Sequence, residues 1–290
     1  MSLDLHLHSI FSDGTCTPAE LFRLAGKNKL TAISITDHDT VAGIPDALSA
    51  AQDTGIEAIT GIELSVVFGE QHFHLLGYFF DHTDRVLNKK IGILQEAREQ
   101  RNKAIIKKLN YLGISLQEEE IKKISRTGQT GRPHIAKALC HKGVVKNLDE
   151  AFEKYLKRGA PAYASRFVFS AAEAIGMIKG CGGLTVLAHP AQIAPTFAEK
   201  QTLIGKLVDL GLDGLEVFYP THTPKTRKNL KKIAKRYDMV ISGGSDYHGL
   251  VRPGTGLAGQ GNVVVPPELL ELMRKRCAEI RNRSSAIVHH

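Results

Sequence analysis

Along residues 2–79, short apolar runs alternate with stretches whose apolar positions fall three or four apart. The runs at 3–7, 32–36, 57–64 and 72–79 have the length and composition of buried strands, and 41–52 has the spacing of a helix. Thr17-Pro18-Ala19-Glu20 is an N-cap followed by Pro at the first helical position, so a further helix starts there. The rhythm resumes at 171, with helices over 171–180, 197–210 and 224–236 and strands over 184–188, 214–218 and 239–243. A last helix runs from about 268 into a polar tail. Strands alternating with helices predict βα units around a mainly parallel sheet or barrel. Residues 85–166 break the pattern. Ile91, Leu94, Arg98, Arg101, Ile105, Lys108 and Leu112 recur at helical spacing, which predicts a charged amphipathic helix. Gly113, Gly128 and Gly131-Arg132-Pro133 punctuate the rest of that segment, with shorter helices expected at 134–142 and 148–157. The expected organisation is an α/β domain from 1–84 and 167–290, interrupted by a helical insertion over 85–166.

Composition changes this picture only in part. A chain of 290 residues, 42% apolar and 23% charged, suits a cored globular protein. No apolar run approaches the roughly 20 residues of a membrane span. The N-terminus lacks the basic and apolar regions of a secretory signal. Cys16, Cys140, Cys181 and Cys277 are scattered without C-x-x-C spacing, as in the reduced thiols of a cytoplasmic protein. The net charge of +8 is unevenly spread. Residues 85–166 carry 19 Lys and Arg against 8 Asp and Glu, so the insertion holds the whole basic excess. A basic insertion beside an acidic, histidine-rich remainder suits an anionic ligand bridging the two, although a solvated lysine-rich helix face explains the charge equally well. His289-His290 has the look of a tag remnant and is given no role.

The chemistry-bearing residues gather at strand ends. His6 and His8 flank one residue, so on a strand both imidazoles project to one side and can share a metal ion. Asp13 follows in a Ser-Asp-Gly turn, and Thr36-Asp37-His38-Asp39 and Gly61-Ile62-Glu63 close the next two strands. His72 and His74 share a face of the fourth, while Ala188-His189-Pro190 and Ser245-Asp246-Tyr247-His248 end later strands. The C-terminal end of barrel strands is where barrel enzymes assemble their sites. Any one of these residues alone reads as a hydrogen-bonded loop histidine or a capping aspartate; six such motifs in register do not.

In this order, D-L-H-L-H-S-x-x-S-D-G-T, T-D-H-D-T, G-I-E-L-S, H-L-L-G-Y, L-A-H-P and G-S-D-Y-H-G resemble the motifs of the PHP (polymerase and histidinol phosphatase) superfamily, from residue 4 to residue 249. The resemblance implies a distorted (β/α)7 TIM-like barrel with a small helical insertion domain, and up to three divalent ions of manganese, iron or zinc. The ligands it implies are His6, His8, Asp13, His38, Glu63, His74, His189, Asp246 and His248, with Glu63 bridging. His72 becomes structural or supporting, and Asp37 points away from His38 as a supporting group. Within the insertion, G-R-P-H-I-A at Gly131–Ala136 is similar to the branch holding nucleoside 3′,5′-bisphosphate phosphatases and the 5′→3′ exoribonuclease RNase AM. There Arg132 would offer a planar fork to phosphate, and His134 a hydrogen bond or a proton. Tyr163, Ser165 and Arg166 are weaker substrate candidates. The chain departs from RNase AM-like sequences after A-H-P, where Ala191-Gln192-Ile193 stands in place of G-R-Y. E-V-F-Y-P-T-H-T-P is instead like the broader branch with AMP-cleaving phosphatases, and its His222 either lines the pocket or sits in a surface loop.

The implied activity is a metal-dependent phosphoesterase that takes phosphate from AMP, a nucleoside 3′,5′-bisphosphate or short 5′-phosphorylated RNA. The expected mechanism is in-line attack by a metal-bridging hydroxide without a covalent enzyme intermediate. No serine or cysteine nucleophile motif and no G-x-x-x-x-G-K-[ST] loop is present. Phe167, Phe169 or Tyr163 could stack a base. The rivals are a histidinol-phosphatase-like phosphomonoesterase, disfavoured by the basic insertion, and a nucleic-acid-binding module with an inactive metal site, disfavoured because all nine positions are filled. No membrane and no obligate protein partner is implied.

Overall fold

The structure is a computed structural model and describes residues 2–125, 127, 129–194, 196–251, 254–259 and 263–288. Gly128 and His289-His290 lie outside the described residues. The chain opens with β1 (Ser2–Leu7), α1 (Pro18–Lys27), β2 (Leu30–Ile35), α2 (Ile44–Thr54) and the short β3 (Glu57–Ala58). These strands form one parallel sheet in the order β1-β2-β3. The α1 start is the one read from sequence: Thr17 and Glu20 form a reciprocal capping box with Pro18 in the first turn. The chain then enters a second sheet through β4 (Gly61–Phe68) and β5 (Gln71–Tyr78).

The insertion comes next as α3 (Arg85–Tyr111), α4 (Glu118–Ile124), α5 (Arg132–His141) and α6 (Leu148–Ala151), the last running into a π turn over Phe152–Leu156. After it come β6 (Phe169–Ser170), α7 (Ala171–Gly180), β7 (Leu184–Leu187), α8 (Phe197–Asp209), β8 (Gly214–Phe218), α9 (Pro224–Arg236), β9 (Val240–Gly243) and α10 (Glu268–Val288). The second sheet has the order β6-β4-β5-β7-β8-β9. Single bridges tie the two sheets together: Leu7 with Tyr247, and His38 with Glu63.

Two expectations are corrected. The run 57–64 is two strands, because Ile59 still bonds β2 through Ile33 while Thr60 already accepts from Phe79 beside β5. Glu63 therefore stands third in β4, near its start, and His74 lies within β5; neither is at a C-terminal strand end. The sheets are mainly parallel, as expected, with β5 alone running antiparallel to its neighbours β4 and β7. Helix α4 escaped notice because its E-E-E-I-K-K-I offers no apolar stripe; Ile121 is its buried anchor.

Burial separates three cores. Leu3, Leu5 and Leu7 join Leu21, Phe22 and Met273 in the first. The second lies between β4–β5–β7–β8 and α7–α9, and it includes Leu87, Ile91 and Leu94 from the start of α3. The third, with Ile105, Leu109, Ile135, Leu139 and Leu156, belongs to the insertion. Helix α3 is thus shared: Leu87, Ile91 and Leu94 pack in the second core, and Ile105, Ile106 and Leu109 in the third. Among the described residues no helix is long and apolar enough to cross a membrane.

Candidate metal centre

Strand β1 is buried on both faces. Its leucines fill a core on one side, so Asp4, His6 and, just beyond the strand, His8 are turned inward on the other. Ordinarily such polar groups are exposed; complete burial of two imidazoles needs a compensating partner. Asp13 folds back on a turn in which Gly14 is required by close approach, since a Cβ there would stand 2.2 Å from the His8 carbonyl oxygen. Gly244 plays the same part for the 244–248 loop, where a Cβ would meet the His6 nitrogen at 2.4 Å. Positive φ at His189 (30°) and Asp246 (52°) marks backbone held out of its preferred region at two of these positions.

Glu63 is the hub. Its Oε2 lies 3.4 Å from His6 Nε2, 3.3 Å from His8 Nε2 and 3.0 Å from His38 Nδ1. Its Oε1 lies 2.8 Å from His74 Nδ1 and 3.2 Å from His189 Nε2. Asp246 Oδ1 is 3.1 Å from His8 Nε2 and 3.5 Å from His248 Nδ1, and Asp13 Oδ1 is 3.4 Å from His248 Nε2. All nine residues named from the sequence therefore meet in one cup. Within it, His8, Asp13, His38 and His248 form one group able to hold a metal ion; His6, His8 and Glu63 form a second, and His38, Glu63 and His74 a third.

Two observations test the fit of divalent cations. Buried His6 Nε2, His8 Nδ1 and Nε2, His38 Nδ1 and Glu63 Oε2 approach one another without hydrogen-bond geometry and have no hydrogen-bond partner. Buried nitrogen and oxygen donors converging without hydrogen-bond geometry are what a cation satisfies. The electrostatics agree. Burial opposes a charge on His6 and His8, yet Glu216, Glu63 and Asp246 raise His6 well above the usual range, and Asp246 and Glu63 raise His8 to about 10. A pocket that retains protons so strongly has an excess of carboxylate charge, which divalent ions can neutralise. His38 is pushed by burial down to about 4 and keeps a neutral ring with a lone pair to give. The donor set fits.

Supporting groups were partly missed. Glu216 is fully buried; its Oε1 lies 2.9 Å from His6 Nδ1 and its Oε2 accepts from the His189 nitrogen at 2.7 Å. It fixes which His6 nitrogen faces the cup. An acid inside the apolar strand G-L-E-V-F was the signal available. Asp4 accepts from Ser245 N and Oγ and from Ala258 N, which fastens the Asp246 loop to β1; burial raises its carboxyl to about 6 against those bonds. Tyr219 donates to Asp246 Oδ2 at 2.9 Å. Asp37 accepts from Ser9 N, Ser9 Oγ and Ser12 Oγ and so shapes the turn carrying Asp13, away from the cup as expected. Glu216→Gln should lower metal affinity by about 10- to 100-fold with the fold intact; unchanged metal content after dialysis would contradict this role.

The other candidates separate. His134 Nδ1 accepts from the Gly131 nitrogen, so its Nε2 carries the proton, and burial lowers its pKa. It is placed as a neutral hydrogen-bond donor beside Asp13, both lining a cavity of about 710 Å³ with Lys137 and His141. Arg132 is not brought to the cup: its guanidinium lies over the Phe152 ring and its Nη1 is 3.5 Å from the Leu156 carbonyl oxygen. Arg166 reaches Asp39 instead, with Arg98. His222 is not a surface-loop residue; it is buried against Tyr219, with Nδ1 near the Val217 carbonyl oxygen and Nε2 without a hydrogen-bond partner. His72 is exposed, outside the cup. Phe169 is buried and cannot stack a base, while Phe167 is exposed and Ser165 is on the surface.

Comparison with known proteins agrees with this geometry. The sequence profile of the PHP domain matches residues 4–160. A 5′-3′ exoribonuclease of Haemophilus influenzae is 34% identical over 245 residues, covering 84% of this chain and 89% of that protein. A 3′,5′-nucleoside bisphosphate phosphatase of Chromobacterium violaceum is 31% identical over 285 residues, covering 96% and 98%. A solved structure described as a metal-dependent phosphoesterase, from Bifidobacterium adolescentis, superimposes with a TM-score of 0.85 at 30% identity, covering 94% of this chain and 96% of that one. The chain belongs to the PHP domain family.

Proposed function

We propose that this chain is a metal-dependent phosphoesterase that removes phosphate from a nucleotide, with the two sheets acting as a distorted (β/α)7 barrel around the site. The observation that carries it is the convergence of nine nitrogen- and oxygen-bearing residues in one cup, seven of them in three groups able to hold an ion and Glu63 common to two of those groups. On this reading His6, His8, Asp13, His38, Glu63, His74, His189, Asp246 and His248 hold three divalent ions of manganese, iron or zinc. Such ions would lower the pKa of bound water and offset charge building on the phosphoryl group. The chain's own residues do the rest. Glu216 and Tyr219 orient His6 and Asp246, and neutral His134 donates from Nε2 to a phosphoryl oxygen. The cavity beside Asp13, with Lys137 and His141 on its wall, has the volume for a nucleotide. Nucleotide names among the relatives and the basic insertion support this substrate class over histidinol phosphate. The full donor set supports an active enzyme over a binding module.

The test is hydrolysis of AMP, adenosine 3′,5′-bisphosphate, histidinol phosphate and a short 5′-phosphorylated RNA by manganese-loaded protein. A nucleotide should exceed histidinol phosphate at least about tenfold in kcat/KM, about 1.4 kcal/mol. Preference for histidinol phosphate would overturn the substrate class, and hydrolysis of none would overturn the activity.

Metal binding should also release protons. His6 and His8 are held protonated by their carboxylates, and both must be deprotonated to ligate. Affinity should therefore rise with pH below about 10, the value for His8, with about two protons released in all near neutrality as the group that His6 and His8 share is filled. Titration of metal-free protein with Zn²⁺ in weakly buffered solution reads this directly; no acidification would refute it.

A further inference from the structure

Outside the insertion the chain has no basic excess, yet one helix there concentrates positive charge. Helix α9 carries seven Lys and Arg within its 13 residues and no Asp or Glu. None of the seven forms an ion pair with a described residue. The other basic helices differ. In α10, Arg274 reaches Glu57 and Glu271, and Arg276 reaches Asp238 and Glu279. In α3, Glu96 and Glu99 stand among the cations. Like charges three and four residues apart destabilise a helix, and in α9 no described acid offsets them.

The cations also have an order. Leu230, Ile233 and Ala234 bury the inner face of α9. Lys225, Lys228, Lys232 and Lys235 are exposed, and their spacing of three, four and three residues sets them in one row on the outer face. At 1.5 Å per residue the row is about 15 Å long. Beside it, Arg227 and Lys231 lie over the Phe218 ring, 5.8 and 4.9 Å from its centroid, and Arg236 lies 5.6 Å from that of Tyr237. None of these cations pairs with a residue of the cup.

A row of unpaired lysines fits a polyanion, and the rest of the face narrows the choice. It exposes no large apolar side chain, which an interfacial helix needs to enter a membrane. It offers no bare aromatic ring of the kind on which single strands stack their bases; Phe218 is capped by its two cations. Lysine is a hydrated point charge that attracts phosphate without fixing its orientation. A duplex, with one negative charge per about 1.7 Å of axis, presents the densest line of phosphate to such a row. We propose that the outer face of α9 binds the phosphate backbone of a double-stranded nucleic acid, reading neither its sequence nor its sugar. This docking surface is separate from the cup and does not depend on what the cup hydrolyses.

The experiment measures fluorescence anisotropy of labelled RNA and DNA duplexes of about 20 base pairs, with 5′-hydroxyl ends, on the full chain from about 50 to about 200 mM salt. The two duplexes should bind within about threefold of each other, with a slope of log K against log salt of about −4. The triple variant Lys228→Gln, Lys232→Gln, Lys235→Gln should flatten that slope by about 3 and weaken binding at least about tenfold near 0.1 M salt, with the melting temperature unchanged. Arginine at the same three positions keeps the charge and should keep both affinity and slope. Loss there as well would make the face structural and overturn the proposal. Lys89→Gln, Lys103→Gln, Lys107→Gln removes the same charge from exposed positions of α3 and should cost less than about twofold. A loss equal to that of the α9 triple would reduce the effect to net charge and overturn the docking face. So would wild-type protein that binds no duplex, or an α9 triple that binds like the wild type. RNA held more than about tenfold tighter than DNA would overturn readout of the backbone alone. If the α9 triple loses more affinity for a single strand of the same length, or for phosphatidylserine-containing vesicles, than for the duplexes, the choice of partner is wrong.

Discussion

Glu63→Gln is expected to abolish hydrolysis, with kcat/KM falling at least about 10³-fold, and to leave the protein short of metal. Both carboxylate oxygens are used. One faces His6, His8 and His38, and the other faces His74 and His189. Burial alone would raise this carboxyl, but His74, His38 and His6 hold it well below the usual range, so it is ionised and central to the charge balance of the cup. Glutamine keeps the shape and removes the charge, and its amide nitrogen can ligate no cation. The loss corresponds to several kcal/mol of transition-state stabilisation, at about 1.4 kcal/mol per factor of ten. Metal content by mass spectrometry and a circular dichroism spectrum separate this effect from unfolding. A folded Glu63→Gln protein with full metal and activity would end the assignment of the centre.

Asp39→Ala should produce the largest loss of stability from a single polar side chain. Asp39 is buried with its φ at +52°, and its carboxylate lies well below the normal range because Arg98 and Arg166 outweigh the burial that would raise it. The pair joins β2's loop to α3 and to the chain returning from the insertion. Removing one partner of a buried pair leaves uncompensated charge and costs about 3–5 kcal/mol. For a chain of this size that is a fall in Tm of roughly 6–10 °C. It should be accompanied by faster proteolysis within 85–166. A shift under about 1 °C would show that the arginines find other partners.

Much of the local structure was legible in the chain because its signals are local. The capping box at Thr17, the periodicity of 224–236 and the apolar run 214–218 each specify their element through neighbouring residues, and the structure places α9 and β8 at those bounds. The spacing of His6 and His8 on a strand likewise put two imidazoles on one side. Direction and assembly were not local. Nothing within 71–78 says that β5 runs against both neighbours, since strand polarity depends on which edges are left to pair. The break at Ile59–Thr60 is invisible for the same reason: both halves are apolar and β-favouring, and only the switch between sheets separates them.

The site divides along the same line. The nine donors were named through the resemblance of their motifs to those of the PHP superfamily, because histidine and carboxylate in that order along a chain are unusual unless used. Residue type could not mark Glu216, whose function comes from lying beneath His6, or Asp39, whose partners stand 59 and 127 positions away. Nor could it show that Arg132 turns toward Phe152 while Arg98 and Arg166 reach Asp39. Short-range patterns specified most of the elements, though not α4 or the break between β3 and β4, and pointed to most of the side chains that meet in the cup. Strand polarity, the hub position of Glu63 and the pairing of buried charges were settled only on assembly. They depend on groups far apart in the chain being brought within a few ångströms, where desolvation makes every unpaired charge count.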